Sequence, residues 1–439
     1  MRLTLLEILE ATGGGEVGGT QVGERFATYH TDSREVQPGG VFFALRGAEM
    51  DGHDFLGDAV ERGAAAVVVE RKTPVAAGIV EIVVADTWKA FYDLASFVQR
   101  RINPLVVSVT GSNGKTSTKE LTAAALSPRF NVHRTMGNLN TETGVPLTLL
   151  ALEPEHTALV VEMGLQKPGD ISRLAALVHP RIGIITNIGV VHMEFFESQD
   201  DLARSKGELV ASLPPDGRAI LNAGDRFFSL LASLTEAPVT TFGYEQGDFA
   251  VRGYRAGEFT VSGRHVHLAL HGRHQALNAA AALAAADAAG VPLAESAQSL
   301  SAITVDHRLQ EVRTAAGFTV VDDAYNASPE SMLAAFDAVA ELPRTGRVLA
   351  VLAHMGELGA VADDSHELVG RRAADVFDAV AVLDTPLGRI LASAARAEVV
   401  ADNMAAAEWV RRNAKEGDVV LIKGSHSRHL EEVVAELTT

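Results

Sequence analysis

One stretch, Leu105 to Thr118, limits the possible folds of this chain more than any other. It reads LVVSVTGSNGKTST. The apolar run at its start suits a buried parallel strand, and Gly111 and Gly114 allow the backbone to wrap closely around a polyphosphate. The residues after Gly114 can open a helix whose N-terminal amides point at anionic oxygens. A strand, a glycine loop and a helix in this order predict a phosphate-binding loop in an α/β fold.

The polar residues of this loop have expected roles in phosphate chemistry. Lys115 would neutralise charge on the terminal phosphates, and the Thr116 hydroxyl would ligate magnesium. The general pattern has a glycine where this chain has Val109, so the loop is a shortened GxxGKT variant. The alternative is an ordinary glycine and serine turn that binds no ligand. The predicted nucleotide-binding residues of the loop are Gly111, Ser112, Asn113, Gly114, Lys115, Thr116 and Ser117.

Composition excludes several classes of function. The chain has 439 residues, of which 47% are hydrophobic and 21% charged, and its formal net charge is −18. This length predicts two or three domains, and the acidic charge argues against a protein that coats nucleic acid. Cysteine is absent, which excludes disulfides, thiolate metal sites and thiol nucleophiles. We recognise neither a signal peptide nor a membrane-spanning run, and we expect a cytoplasmic protein with small partners.

Strand and helix patterns alternate along the whole chain and predict an α/β protein. We expect a smaller N-terminal α/β domain over residues 1–86. A central domain over residues 87–305 would contain a doubly wound, mainly parallel sheet with the phosphate loop. A third α/β domain would follow over residues 306–439. Within the central domain, the turn Ser262 to Arg264 predicts a hairpin, and an alanine-rich helix ends before Gly290.

Polar residues follow the strands of the central domain, where ligands of doubly wound sheets bind. Glu162 could hold magnesium directly or through water, or it could be a solvated cap. His192 could ligate a second divalent ion or contact a phosphate, or it could be an ordinary loop histidine. Lys206 lies on a helix, where a solvated surface charge is the ordinary role. Thr186 and Asn187 also follow a strand, without a specific role.

Polar clusters also mark the two flanking domains. In the C-terminal domain they follow three strands, at Asp322 to Asn326, His354 to Gly359 and Lys423 to Ser425. Because the carboxyl ends of parallel strands share one edge of a sheet, these clusters predict a ligand-facing rim. In the N-terminal domain, Thr31 to Arg34 and Asp51 to Asp54 are explained equally well by ligand binding and by turn chemistry.

Seven segments carry a resemblance that extends over essentially the whole chain. They are, in order, TGSNGKTSTKE (Thr110 to Glu120), GNLNTETGVPLTLL (Gly137 to Leu150), VEMG (Val161 to Gly164), TNIGVVHME (Thr186 to Glu194), RSKGEL (Arg204 to Leu209), DDAYNASPESM (Asp322 to Met332) and KGS (Lys423 to Ser425). Together they resemble the Mur ligase family, ATP-dependent amide-forming enzymes of peptidoglycan precursor synthesis.

Two features resemble one member type of this family. The GNLN and GVPLTLL segment and the HMGELG sequence at His354 to Gly359 are similar to the member that adds D-alanyl-D-alanine to a UDP-N-acetylmuramoyl tripeptide. The ligase that adds the third amino acid carries an Asp-Asn-Pro-Arg motif. That motif is absent here, because Asp402 and Asn403 are followed by Met404.

The resemblance implies an N-terminal domain for the UDP substrate, a central ATPase domain and a C-terminal Rossmann-like domain. It implies that Lys206 is carbamylated by carbon dioxide, which turns a cation into a carboxylate-like magnesium ligand. This chain departs from the family at Gln275, where Asn is usual, and at His307, where Gly is common. The implied residues are Ser33, Arg34, Asn140 and Thr141 for the substrate, Lys115, Asn138, His192 and Lys206 for catalysis, Thr116, Glu162, His192 and Lys206 for magnesium, and Asn278, Arg308, Asp322, Tyr325 and Asn326 for ATP.

The resemblance also implies an activity. The enzyme would ligate D-alanyl-D-alanine to UDP-N-acetylmuramoyl-tripeptide through an acyl phosphate, with ATP and Mg²⁺, as a monomer that neither enters a membrane nor binds nucleic acid. Two alternatives stay open. One is another amide ligase of the family, of the third-residue-adding or folylpolyglutamate type. The folylpolyglutamate type lacks a UDP-binding N-terminal domain, so residues Thr31 to Asp54, which suggest such a domain, argue against it. The other is a nucleotide-gated binding protein that does not ligate.

Overall fold

The computed structural model describes residues 1–16, 25–73, 78–191, 193–301, 303, 305 and 307–438. The chain divides into two compact units. The predicted domain boundaries near residues 86 and 306 stay predictions, and Asp306 itself lies outside the described residues. Unit 1 comprises Met1–Ser108, Phe130–Gly164 and Asp170–Arg181, and unit 2 comprises Val109–Arg129, Leu165–Gly169 and Ile182–Thr439.

The strands of the described residues are numbered in chain order. They are β1 (Leu3–Thr4), β2 (Gly15–Glu16), β3 (Arg25–Phe26), β4 (Tyr29–His30), β5 (Val41–Phe43), β6 (Ala66–Val69), β7 (Val80–Val83), β8 (Leu105–Thr110), β9 (Val132–Arg134), β10 (Ala158–Glu162), β11 (Ile182–Ile185), β12 (Arg218–Asn222), β13 (Val239–Tyr244), β14 (Phe249–Arg255), β15 (Glu258–Val261), β16 (Arg264–His267), β17 (Gln310–Arg313), β18 (Thr319–Asp322), β19 (Val348–Leu352), β20 (Ala379–Leu383), β21 (Glu398–Val400) and β22 (Val419–Lys423).

The α-helices are numbered in the same way. They are α1 (Leu5–Thr12), α2 (Leu56–Glu61), α3 (Thr87–Ile102), α4 (Lys115–Leu126), α5 (Gly144–Leu150), α6 (Asp170–Val178), α7 (Gln199–Ala211), α8 (Phe228–Ser233), α9 (Arg273–Ala288), α10 (Leu293–Ser299), α11 (Pro329–Ala340), α12 (Ala362–Val376), α13 (Pro386–Ala395), α14 (Asn403–Asn413) and α15 (Glu431–Thr438). Short 3-10 turns occur at Ser33–Glu35, Gly52–Phe55, Met193–Phe195, Gly359–Val361 and His426–Arg428.

Unit 1 contains a five-stranded sheet in the order β2-β7-β6-β5-β4, in which only the β2 and β7 pair is antiparallel. Phe42 and Val67 of this sheet pack with Leu56 and Ala59 of α2 in a buried cluster. The predicted small N-terminal sheet with helices is therefore confirmed. Unit 1 also contains β9 and β10, which pair in parallel.

Unit 2 contains strands of the central sheet in the order β16-β15-β14-β13-β12-β11. The pairs β11 with β12 and β12 with β13 are parallel, whereas β15 and β16 form an antiparallel hairpin. Its turn has φ values of 48° at Ser262 and 74° at Gly263, the left-handed pair that a two-residue hairpin requires. The predicted mainly parallel sheet and its flanking hairpin are confirmed.

A second sheet of unit 2 has the order β17-β18-β22-β19-β20-β21, parallel except for β17 with β18. Met332, Phe336 and Val369 of α11 and α12 cover one face of this sheet. Trp409 and Val433 of α14 and α15 cover the other. The predicted C-terminal α/β domain is confirmed as a doubly covered parallel sheet.

Helix α9 packs against two parts of unit 2, the helix α4 and the strands β13 and β14. Its residues from Ala279 to Ala286 are at most 1% exposed, because small side chains let it pack closely against α4 and against β13 and β14. Helix α4 follows the phosphate loop, so the packing of α9 against α4 helps to hold the C-terminal end of that loop in place. None of the helices in the described part of the chain combines the length and apolar character that crossing a bilayer requires.

Candidate active site

The phosphate loop, residues 111–117, joins β8 to α4 in unit 2. Gly111 has a φ of 147°, and a Cβ atom there would lie 1.9 Å from Thr186 Oγ1. Gly114 has a φ of 80°, and a Cβ atom there would lie 2.6 Å from Asn278 Oδ1. Backbone conformation and neighbouring atoms therefore both require glycine at these two positions.

The loop is held by the segment that follows β11. The backbone amides of Ser112 and Asn113 donate to the Asn187 carbonyl and to Asn187 Oδ1, each at 2.9 Å. Thr186 Oγ1 donates to the Asn113 carbonyl at 2.6 Å, and the Gly189 amide donates to Ser112 Oγ at 2.8 Å. Sequence reasoning recognised Thr186 and Asn187 only as strand-end residues. Their contacts assign them the task of fixing the loop's shape.

The start of α4 and Lys115 supply positive electrostatic potential to the loop. The N-cap residue of α4 is Gly114, which has no side chain that could cap the helix, and amides at a helix start favour an anion. Lys115 Nζ donates to the carbonyls of Gly111 at 2.9 Å and Ser112 at 3.2 Å. The ammonium group therefore lies along the loop backbone that is predicted to bind phosphate.

Lys206 is not a solvated surface charge, and that interpretation of the sequence was wrong. The residue is 1% exposed, and its Nζ donates to the Gly111 carbonyl at 3.0 Å, the same carbonyl that accepts from Lys115. Burial lowers the pKa of the Lys206 amine well below its ordinary value, and the charge of Lys115 lowers it further. A buried amine in this environment favours the neutral form, which is the form that adds carbon dioxide.

In unit 1, Glu162 lies at the end of β10 and is 2% exposed, so the solvated-cap interpretation is wrong. Asn140 Nδ2 donates to Glu162 Oε1 at 2.8 Å, which brings these two predicted site residues together. Asn138 and Thr141 are exposed on the same segment. The Asn138 carbonyl accepts from the Asn140 amide at 2.7 Å. Thr141 Oγ1 lies 3.2 Å from Thr143 Oγ1.

The other predicted substrate residues of unit 1 lie in the turn Ser33–Glu35. Ser33 is buried, whereas the Arg34 side chain is 82% exposed. Asp32 accepts from the Arg34 amide at 2.9 Å and pairs with its guanidinium group at 2.6 Å. The turn thus presents an arginine whose position is set by a neighbouring carboxylate.

Of the predicted magnesium ligands, Thr116 and Glu162 are oxygen donors, Lys206 would become one as a carbamate, and His192 would bind through a ring nitrogen. The hydroxyl of Thr116 and the carboxylate of Glu162 are hard oxygen groups of the kind that magnesium prefers. The amine of Lys206 does not suit magnesium, whereas the oxygens of its carbamate would. His192 lies outside the described residues. Within the described part of the chain, no group of three or more His, Asp or Glu side chains could hold a metal ion.

Predicted ATP residues gather after β18 in unit 2. The Arg308 guanidinium lies 4.4 Å from the centre of the Tyr325 ring, and Asp322 Oδ2 lies 2.6 Å from His307 Nδ1. His307 has a φ of 54°, a left-handed conformation that glycine adopts more easily. The contact with Asp322 gives the histidine at this position a partner and explains how the chain accommodates its departure from glycine.

A buried ion pair supports these strand ends. Lys423 Nζ lies 2.6 Å from Asp323 Oδ2 and donates to the Asn326 carbonyl at 2.9 Å. Burial lowers the pKa of Lys423, which the Asp323 carboxylate opposes. Burial likewise lowers the pKa of His274 to about 4, with Asp323 opposing and Lys423 adding to the shift.

Helix α9 connects these strand ends with the phosphate loop. His274 interacts electrostatically with Asp323, and Asn278, one turn later or about 6 Å along the helix, faces Gly114. Asn278 Nδ2 donates to Gln275 Oε1 at 3.0 Å, so Gln275, the second departure, orients Asn278. The structure thus brings the loop, Asn278 and the C-terminal cluster together within unit 2.

Gly111→Ala tests the required geometry of the loop. The new Cβ would meet Thr186 Oγ1, so the loop must move, and we expect ATP to bind at least about 100-fold more weakly. Isothermal titration calorimetry measures this affinity. Gly57→Ala is the control, because no atom lies within 4 Å of a Cβ there, and it should bind ATP within about twofold of the parent. Parent-like affinity in Gly111→Ala would contradict the loop geometry.

Comparisons with known proteins give the same family for every part of the chain that they match. Three family models match it: the Mur ligase family catalytic domain over residues 26–135, the Mur ligase middle domain over residues 109–286, and the Mur ligase glutamate ligase domain over residues 307–426. A UDP-N-acetylmuramoyl-tripeptide--D-alanyl-D-alanine ligase of Bacillus subtilis is 34% identical over 425 residues, which cover 93% of this chain and 92% of the relative.

Solved structures are also similar over nearly all of the chain. MurF from Acinetobacter baumannii has a TM-score of 0.89 and 29% identity, covering 100% of this chain and 99% of its own. MurF ligase from Thermotoga maritima, in complex with ADP, has a TM-score of 0.83 and 31% identity, covering 94% of this chain and 97% of its own. The similarity therefore includes the fold of all three predicted domains.

Proposed function

Since this chain belongs to the Mur ligase family, we propose that it joins D-alanyl-D-alanine to UDP-N-acetylmuramoyl-tripeptide at the expense of ATP. The products are the pentapeptide precursor of peptidoglycan, ADP and phosphate. One observation carries the proposal: the match extends over 93% of the chain to a relative named for this reaction. A monomeric enzyme in the cytoplasm remains our prediction.

The reaction needs activation because a carboxylate does not react with an amine at neutral pH. We propose that a carboxylate oxygen of the tripeptide attacks the γ-phosphorus of ATP, which releases ADP and forms an acyl phosphate. The amine of D-alanyl-D-alanine then attacks the acyl carbon and loses a proton. The tetrahedral intermediate collapses to the amide, and phosphate leaves with the original carboxylate oxygen.

The phosphate loop would supply the electrostatic stabilisation that this mechanism needs. A carboxylate and a triphosphate repel each other, so positive charge must be provided where they meet. Lys115 and the first amides of α4 provide it at residues 111–117. Thr186 and Asn187 fix the loop before substrate binds, so that little reorganisation accompanies phosphoryl transfer.

Magnesium, when bound, would shield the phosphate charges. We propose that the Thr116 hydroxyl, the Glu162 carboxylate and His192 contribute to holding it. Lys206 would contribute as a carbamate, formed when its neutral amine adds carbon dioxide and loses a proton. The burial of Lys206 and its contact with the Gly111 carbonyl support this proposal, since a carbamate there would place an anion beside the loop.

The remaining predicted residues have binding roles in this proposal. Asn278 lies against Gly114 and would orient the nucleotide from α9. The cluster after β18 would hold the base, ribose or phosphates of ATP through Arg308, Asp322, Tyr325 and Asn326. Ser33 and Arg34 would bind the UDP end of the substrate, and Asn140 and Thr141 would also bind the substrate. Asn138 would act in catalysis, and it would border the reaction centre together with Asn140.

A phosphate-release assay tests the proposed function. Purified protein with ATP, magnesium and UDP-N-acetylmuramoyl-tripeptide should release phosphate at a rate that rises at least about 100-fold when D-alanyl-D-alanine is added. Mass spectrometry should detect the pentapeptide product in equal amount. Phosphate release with glutamate or a single amino acid instead of the dipeptide would favour another amide ligase. Tight ATP binding without any amide product would favour a nucleotide-gated binding protein.

A further inference from the structure

Two residues at the start of α11 contact the phosphate loop and the segment after β11, all within unit 2. Ser328 Oγ donates to Asn113 Oδ1 at 2.8 Å. Glu330 Oε1 accepts from the Val190 amide at 3.1 Å, and Glu330 Oε2 accepts from Asn113 Nδ2 at 3.5 Å. We call this set of four residues, Ser328, Glu330, Asn113 and Val190, the α11 latch.

The α11 latch joins two different sheets. Helix α11 packs on the six-stranded C-terminal sheet through Met332 and Phe336, whereas Asn113 and Val190 follow strands of the central sheet. Three polar contacts meet at this point, and both the oxygen and the nitrogen of the Asn113 side-chain amide take part.

Further contacts hold the residues of the α11 latch in position, both on α11 and at the phosphate loop. Ser328 is 4% exposed and also caps α11, accepting from the Ser331 amide at 3.2 Å. Glu330 lies directly over the Gly189 backbone, where a Cβ atom would be 2.8 Å from Glu330 Oε1. The Asn113 backbone is held by Asn187, so its side chain is presented to α11 in a defined position.

Proximity along the chain connects the α11 latch to predicted ATP residues. Asn326 precedes Ser328 by two residues, and Tyr325 precedes it by three. Consecutive Cα atoms are about 3.8 Å apart, so a restraint on Ser328 restricts where Tyr325 and Asn326 can lie. Positioning these residues against the loop matters for transfer, because small displacements from reactive geometry cost large factors in rate.

We propose that Ser328 and Glu330 are positioning residues that hold the C-terminal sheet at the phosphate loop during ligation. This proposal rests on the proposed function, for which Asn113 is a residue of the nucleotide loop. The α11 latch acts on the arrangement of the two sheets and not on the loop's own shape, which Thr186 and Asn187 already fix. It should therefore affect turnover more than the binding of ATP.

Glu330→Ala separates turnover from binding. The loss of a charged hydrogen-bond acceptor should lower kcat roughly tenfold, with KM for ATP within about threefold of the parent. Glu330→Gln should restore most of kcat, because its amide oxygen can still accept from Val190. Asp337→Ala is the control, because it alters the same helix at a carboxylate that pairs with Arg372 instead of a latch residue. This control should keep kcat within about twofold. Unchanged kcat in Glu330→Ala, or an equal loss in Asp337→Ala, would overturn the proposal.

A double-mutant cycle tests the contact between the two sheets. Ser328→Ala and Asn113→Ala remove opposite ends of one hydrogen bond, so their effects on kcat should not multiply. The double variant should be little slower than the slower single variant. Fully multiplicative losses would mean that the two side chains act independently, which contradicts a latch.

Hydrogen exchange distinguishes failure of the α11 latch from failure of the proposed function. The Val190 amide should exchange about tenfold faster in Glu330→Ala than in the parent or in Asp337→Ala, since its hydrogen bond is lost. This readout needs no substrate. A parent protein that fails to ligate the dipeptide would refute the proposed function, whereas unchanged exchange at Val190 in Glu330→Ala would refute the latch.

Discussion

Lys115→Ala should lower kcat/KM for ATP in the ligation reaction by about 1,000-fold or more. Lys115 Nζ lies over the Gly111 and Ser112 carbonyls at 2.9 and 3.2 Å, where it can move onto a phosphate with little change in the loop. Without it, the charge that builds up on the transferred phosphoryl group loses the cation of the phosphate loop, and groups of this kind contribute factors of this size. Steady-state phosphate release with the tripeptide and dipeptide measures the loss.

Two controls separate chemistry from folding in this experiment. Lys89→Ala removes an exposed lysine paired with Asp93 on α3, and it should leave kcat/KM within about twofold of the parent. Thermal unfolding of Lys115→Ala should remain cooperative and close to the parent, because the side chain is only partly buried. Near-normal turnover of a well-folded Lys115→Ala would exclude this loop as the site of phosphoryl transfer.

Lys206→Ala should lower kcat at least about 100-fold, because the variant cannot form the carbamate that is proposed to hold magnesium. Bicarbonate should not rescue it, whereas a short carboxylic acid such as acetate should restore part of the activity by supplying the missing carboxylate. The parent should lose activity in buffer depleted of carbon dioxide and regain it with bicarbonate. Phosphate release in matched buffers measures each of these effects.

Spectroscopy gives an activity-independent check on Lys206. The parent incubated with carbon-13 bicarbonate should show a carbamate signal that Lys206→Met lacks, since methionine fills the buried space without an amine. This control matters because Lys206 is 1% exposed, and alanine there leaves a cavity that can disturb packing. A fully active alanine variant, or an equal carbamate signal in Lys206→Met, would end the carbamate hypothesis.

Strands were predicted well where they are continuously apolar. The apolar runs Ile182 to Ile185 and Val348 to Leu352 predict strands from the sequence alone, and they agree with β11 and β19 at both ends. Burial on both faces leaves an unbroken hydrophobic run in such strands. Strands β13 and β14 were not predicted. Their sequences VTTFGY and FAVRGYR mix threonine, glycine and charge, and their conformation is set by pairing with neighbouring strands.

Helix starts were predicted best where a capping residue is recognisable. Ser198 is expected to open the helix that carries Lys206, and α7 begins at Gln199, with Ser198 accepting from the Asp201 amide as its N-cap. The helix expected from Leu3 begins at Leu5 instead, because Thr4 and Glu7 form a capping box. The apolar pattern reports the buried face of a helix, whereas its first turn is decided by polar capping side chains.

The phosphate loop could be predicted because its residues are adjacent in sequence. The burial of Lys206 could not be, since its partner Gly111 is 95 positions away, and nothing local distinguishes it from a surface lysine. The contact of Ser328 with Asn113 spans 215 positions. The resemblance to a family supplied a role for Lys206 but none for Ser328 or Glu330, which required the folded structure.

An isotope-transfer experiment tests most directly the claim that this chain is an acyl-activating ligase. UDP-N-acetylmuramoyl-tripeptide labelled with oxygen-18 in the reacting carboxylate would be incubated with ATP, magnesium, D-alanyl-D-alanine and the purified protein. If the carboxylate attacks the γ-phosphorus, each amide bond formed should transfer one labelled oxygen to the released phosphate, as mass spectrometry can measure. Pentapeptide formed together with unlabelled phosphate, so that the expelled labelled oxygen appears in AMP or water instead, would contradict acyl phosphate formation.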